Sequence, residues 1–130
     1  MKFVTADTHF FDPAMIEHPH FAPRRADFLT VGDMDQAIID AWNHTVTDQD
    51  VVYHCGDIAV YYKTASPKQL LDLLDHLKVQ IIFVKGNHDS RDLFKYLEKI
   101  IIRFLPIIRI RNFLFMTLAP ILNMIITSFF

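Results

Sequence analysis

Short apolar runs alternate along this chain with longer stretches in which hydrophobic residues recur at helical spacing. Lys2 to Thr5 predicts a first strand, Val51 to His54 a second and Ile81 to Val84 a third. The segment from Phe10 to Thr30 carries Pro13, Pro19 and Pro23 among polar and aromatic residues, which predicts mostly loop. A helix is expected from Asp33, with Gln36 completing a capping box and Met34, Ala37, Ile38, Ala41 and Trp42 forming one apolar stripe. Thr47-Asp48-Gln49-Asp50 then predicts a turn into the second strand. The next helix has the clearest start: Ser66 as N-cap, Pro67 at the first helical position, Gln69 closing the box, and Leu70, Leu73, Leu74 and Leu77 inward. A last helix is expected from about Ser90 to Lys99, with Leu93, Leu97 and Ile100 on its buried face. Strand, helix, strand, helix, strand, helix predicts an α/β domain built on a parallel sheet.

This order of elements gives the polar residues a common place. Each strand ends in a polar cluster: Asp7-Thr8-His9, Gly56-Asp57 and Gly86-Asn87-His88-Asp89. In open α/β sheets ligands bind beyond the carboxyl ends of the strands, where all three clusters fall. Asp7 and His9 stand two apart, so on an extended chain they point to the same side. A carboxylate oxygen beside an imidazole nitrogen suits Mn, Fe or Zn better than Ca²⁺. Asp57 follows a glycine that permits close backbone approach, and a central carboxylate can bridge two cations. Asn87 offers a neutral carbonyl, and His88 a proton donor that can also contact phosphate. Asp89 either orients the His88 imidazole or belongs to a polar turn in which Asp89 or Ser90 caps the following helix.

Taken together and in this order, Asp7-x-His9, Gly56-Asp57 and Gly86-Asn87-His88-Asp89 resemble the calcineurin-like metallophosphoesterase family, in its small bacterial and phage form. The resemblance covers roughly residues 1 to 100. It implies an αββα sandwich of two mixed sheets, with the first βαβαβα portion intact and the second sheet incomplete. It further implies hydrolysis of phosphate mono- or diesters by a metal-bound hydroxide. Asp7, His9 and Asp57 would hold one cation, and Asp57 with Asn87 a second. His88 would act on the phosphate or the leaving group, and Asn87 would also touch substrate. The family's pattern asks for further histidines, yet none follows His88, and Leu118 stands where a ligand histidine is expected. Activity is therefore expected to be impaired, with a non-catalytic remnant that binds metal or a partner weakly as the alternative.

Composition narrows the rest. With 130 residues and 52% hydrophobic content, the chain is expected to form one core, over residues 1–105, followed by an apolar tail, 106–130. A net charge of −2 provides no electrostatic case for nucleic acid. The uncharged stretch from Phe113 to Phe130 has three readings: an unfinished hairpin of the second sheet whose apolar edge invites oligomers or aggregates, a membrane anchor, or an interrupted reading frame. The first residues contain no signal-peptide core, so a cytoplasmic location is expected. The lone cysteine, Cys55, is expected to pack as a small buried residue. His18, His20, His44 and His76 are expected on the surface, His54 in the core beside the site, Asp12 behind the first cluster, and Arg24 and Arg25 as solvated loop charge, with contact to a phosphate as their alternative.

Overall fold

The computed structural model describes residues 1–60, 65–77, 79–86, 88–93, 95 and 125–126. Asn87, Leu118 and most of the tail, with the expectations attached to them, lie outside that set.

The three expected strands are present: β1 (Lys2–Thr5), β2 (Val51–His54) and β3 (Gln80–Phe83). β2 lies between the other two and pairs in parallel with both, with Thr5 opposite His54 and His54 opposite Phe83. The third strand begins and ends one residue earlier than its apolar run suggests, although Val84 N–H still bonds the His54 carbonyl at 2.8 Å. Ile125–Ile126 forms a short β4 that pairs in parallel with Phe3 and Val4, giving the order β3-β2-β1-β4. The described tail residues thus extend the first sheet. A second sheet has no described residues.

Between the strands run α1 (Ala14–Glu17), α2 (Val31–Thr45) and α3 (Pro67–Leu74). α2 starts two residues before the expected Asp33, because Thr30 is the true cap. Its hydroxyl accepts the Asp33 N–H at 3.0 Å and donates to the Asp33 carboxylate at 2.7 Å, satisfying a donor that the first turn leaves unpaired. Gln36 takes no part in the cap and bonds Asp40 one turn on. α3 follows the sequence closely, with Ser66 and Gln69 forming a complete capping box around Pro67. The chain is again helical over 91–93.

Met34, Ile38, Ile39 and Trp42 from α2, Leu70 and Leu73 from α3, and Phe3, Val52 and Phe83 from the sheet share one core. Phe10 and Ile58 from the loops beyond the strands join it, as does Leu93 from the helical turn at 91–93. These loops are therefore anchored by burial as well as by their backbone bonds. No helix among the described residues is long and apolar enough to cross a membrane.

Candidate metal centre

Pairing between β1 and β2 does not stop where the strands do. Asp7 N–H bonds the Gly56 carbonyl at 3.0 Å, His9 N–H the Asp57 carbonyl at 3.0 Å, and Phe10 N–H the Ile58 carbonyl at 2.9 Å. The first two polar clusters are thereby stitched side by side. The third is brought in by contact between glycines. A Cβ at Gly56 would lie 2.4 Å from Gly86 Cα, and one at Gly86 would lie 2.3 Å from Asp57 Oδ1. Gly56 also has φ +109°, which L side chains rarely adopt. The central position of β2 in the sheet places Asp57 between the other two clusters.

The structure brings Asp7, His9 and Asp57 together, each presenting one donor atom within 4.8 Å of the others. All three carry left-handed backbone, with φ of 57°, 49° and 54°. Non-glycine residues adopt this conformation at a cost, and it recurs where a site needs an otherwise unreachable side-chain direction. His9 has its Nδ1 bound to Asp12 Oδ2 at 2.9 Å, which leaves Nε2 as the free nitrogen, 3.9 Å from Asp7 Oδ1. A carboxylate fixing the far nitrogen of an imidazole is the usual support for a metal-binding histidine. Asp12 thus stands behind the first cluster as its sequence position suggested. Asp57 Oδ1 accepts the His88 N–H at 2.8 Å, so its second oxygen is the one left for a ligand. The His88 ring is exposed and its centroid lies 5.8 Å from that of His9.

Asp89 itself neither orients the His88 imidazole nor caps the following helix. Its buried carboxylate accepts the N–H groups of Asp57 at 2.7 Å, Ile58 at 2.8 Å and Gly86 at 2.8 Å. No hydrogen bond among the described residues joins it to the His88 imidazole. It fastens the second cluster to the third through the backbone. The cap position of the next helical turn belongs to Ser90, whose Oγ accepts the Leu93 N–H at 3.0 Å.

Arg25 also departs from expectation. It is 6% exposed, and its guanidinium donates to the Thr8 carbonyl at 2.8 Å and the Asp7 carbonyl at 2.6 Å. Burial lowers its pKa, against the charges of Asp7, Asp35 and Asp12. A planar guanidinium can bridge two carbonyls and hold the kinked loop, whereas nothing in the Arg24-Arg25 sequence distinguishes the buried partner from the exposed one. Asp35, on the buried side of α2, accepts the Phe11 N–H at 3.1 Å, and burial raises its pKa to about 7. Its place beside Met34 and one turn before Ile38 and Ile39 was a legible sign of burial.

His54 is a core histidine, as its inward place on β2 implies. Gly56 N–H donates to its Nδ1 at 3.3 Å, so Nε2 carries the proton and donates to Thr8 Oγ1 at 2.8 Å. The Thr8 hydroxyl in turn donates a hydrogen bond to the Ile58 carbonyl at 2.9 Å. Burial pushes the His54 pKa down to about 3, with Asp57 raising it and His9 lowering it further. The ring is neutral and fully bonded, and its nitrogens are not available as ligands. Cys55, expected to be buried, is exposed where the chain leaves β2. Its surroundings still desolvate the thiol in part and Asp7 opposes its negative form, so its pKa is raised. His18, His20, His44 and His76 are exposed, as expected.

Among known proteins, the uncharacterized protein MJ1445 of Methanocaldococcus jannaschii is 33% identical over 88 residues, covering 68% of this chain and 46% of that protein. The crystal structure of AQ665 from Aquifex aeolicus, a protein of unknown function, shares the fold. Its TM-score is 0.57 at 22% identity, covering 76% of this chain and 47% of the other. The chain thus spans about half the length of these relatives. Residues 3–124 match the calcineurin-like phosphoesterase family, and with its strand-end clusters inside that match, the chain belongs to this family.

Proposed function

We propose that the chain is a metal-dependent phosphoesterase acting on phosphate mono- or diesters, with Asp7, His9 and Asp57 as the first cation's ligands. The observation that carries this reading is the convergence of two carboxylates and one imidazole, each with a donor atom within 4.8 Å of the others. The donor set fits a borderline divalent ion such as Mn²⁺, Fe²⁺ or Zn²⁺. His9 is already held with Nε2 free, and Asp7, 68% exposed at its side chain, has an open carboxylate. Asp57 and Asn87 are assigned to a second cation.

When bound, the cations supply positive charge against the phosphate oxygens and lower the pKa of a water molecule. The chain's own residues do the rest. Asp12 holds the His9 ring in one tautomer, and Asp57 shares its first oxygen with the His88 backbone, keeping the third cluster close. The proposed role of His88, whose exposed ring lies 5.8 Å from that of His9, is to donate to a phosphate oxygen or to protonate the leaving alcohol. With leucine at position 118 instead of a ligand histidine, the proposed turnover is slow and the second cation loosely held.

The test is hydrolysis of p-nitrophenyl phosphate and bis-p-nitrophenyl phosphate with added Mn²⁺. Asp57→Asn keeps an oxygen for the His88 N–H but removes a charged ligand, and is expected to reduce turnover by at least about 100-fold. Equal rates in wild type and variant would refute the proposal. Metal retention by a chain without turnover would favour the non-catalytic reading.

A further inference from the structure

Beside Asp7 and His9 opens a cavity of about 560 Å³, whose other wall includes Met15, Phe21, Pro23 and Arg24. The volume falls within the ordinary range for small organic ligands. The wall is unusual in composition. Phe21 is 63% exposed, although a phenyl ring in water is unfavourable. It meets His20 at 4.2 Å between ring centroids with the planes tilted by 55°, and His18 edge-on at 5.4 Å. The Phe21 ring thus stands on the wall of a cavity that also includes Asp7 and His9, two of the three proposed metal ligands.

This wall is also fixed relative to the site. Arg25, the next residue after Arg24, is buried and bonds the carbonyls of Asp7 and Thr8. The segment bearing Phe21 and Arg24 is thereby tied to the loop bearing Asp7. Arg24 itself is exposed, and among the described residues it has no ionic partner. A guanidinium on the wall of a cavity that also holds Asp7 and His9 is complementary to an anion that a cation on those two residues would draw in.

Building on the phosphoesterase reading, we propose that Phe21 and Arg24 form the subsite for the alcohol portion of the substrate and select phosphate esters of flat aromatic alcohols. Phe21 stacks on the ring, and Arg24 contacts a phosphate oxygen. The residues differ in what they recognise, so they separate in a binding experiment. Arg24 acts on every phosphate ligand, and Phe21 only on those with a ring.

The experiment measures equilibrium binding of 1-naphthylphosphonate and methylphosphonate to the full chain with Mn²⁺ present, because phosphonates bind without being hydrolysed. Wild type is expected to bind the naphthyl compound about tenfold more tightly, the upper end of an aromatic contact. Phe21→Ala should abolish that preference while leaving methylphosphonate affinity unchanged, and Phe21→Tyr should retain it. Arg24→Ala should weaken both ligands alike. Equal affinities in wild type, a preference that survives Phe21→Ala, or failure of both ligands to bind would each overturn the inference. Hydrolysis of 1-naphthyl phosphate, followed separately, distinguishes the two readings. Ring preference without turnover refutes the phosphoesterase and leaves the subsite standing, whereas turnover without ring preference does the reverse.

Discussion

Asp89 and Asp7 are the same residue type in the two outer clusters, yet the structure uses them in opposite ways. Asp89 is 3% exposed and spends both oxygens on backbone N–H groups of the two loops beside it. Asp7 is open to the cavity, with its Oδ1 3.9 Å from His9 Nε2. The same division runs through the whole corner. Arg25, Asp35 and His54 bind backbone or a neighbouring hydroxyl and form a frame. Asp7, His9 and Asp57 are carried by that frame and keep a donor atom free. A buried polar group that is fully bonded stabilises the fold, whereas one left unpaired is costly unless water or a ligand reaches it. Function is therefore expected to sit on the exposed carboxylates, and stability on the buried ones.

Substitutions can break this division, beginning where the effect on stability is largest. Gly86→Ala forces a methyl group into Asp57 Oδ1 and its backbone nitrogen, at 2.3 and 2.4 Å, and should cost about 3 kcal/mol or more in denaturant unfolding. Asp89→Asn replaces one of two acceptor oxygens with an N–H₂ that faces backbone donors. A loss of about 2 kcal/mol is expected, unchanged by addition of chelator. If chelator alters that loss, Asp89 belongs with the ligands and the comparison fails.

The next prediction concerns pH. His54 has a folded pKa of about 3 against 6.5 when unfolded, so below pH 6.5 the unfolded chain binds the extra proton and stability falls as pH falls. Asp35 has a folded pKa of about 7 against 3.8, so its contribution is lost as pH rises through that interval. Between about pH 4 and 6.5 the two slopes oppose each other. Asp35→Asn removes one of them and should uncover a fall of about 1.4 kcal/mol per pH unit on acidification, measured from urea midpoints across that range. A flat profile in the variant would show that His54 is not held neutral. Smallest on stability is Asp7→Asn, expected within about 0.5 kcal/mol of wild type. The same change should nonetheless weaken Mn²⁺ retention by at least about tenfold, seen by equilibrium dialysis.

Much of this corner was legible in the sequence because strand ends and ligand chemistry coincide there. Alternation in Val51 to His54 sets His54 on the same side as Val52, and the structure buries both. Ser66-Pro67 and Gln69 dictated a helix start almost unaided, since their capping bonds are local. Thr30 and Asp33 are both good caps by residue type, and the geometry of the loop that enters α2 decides for Thr30. Arg25 and Asp89 could not be read, for a different reason. Their partners are carbonyl and N–H groups, which every residue carries, so no side-chain pattern announces them. Cys55 is exposed because it follows the buried His54, and the alternation that turns Val52 and His54 inward turns the next residue outward.

The left-handed backbone at Asp7, His9 and Asp57 has a bearing on redesign of the centre. Aspartate, asparagine and histidine tolerate that conformation better than other non-glycine residues, and β-branched side chains tolerate it poorly. The alphabet from which a new coordination sphere can be written at these positions is therefore short, and it is chosen by the main chain before any ion is considered. Exchanging carboxylate for amide, or either for imidazole, keeps the loops as they are. Installing threonine, or valine as a blank, asks the loops to reshape, so a silent result from such a variant would report on the backbone and not on the ion.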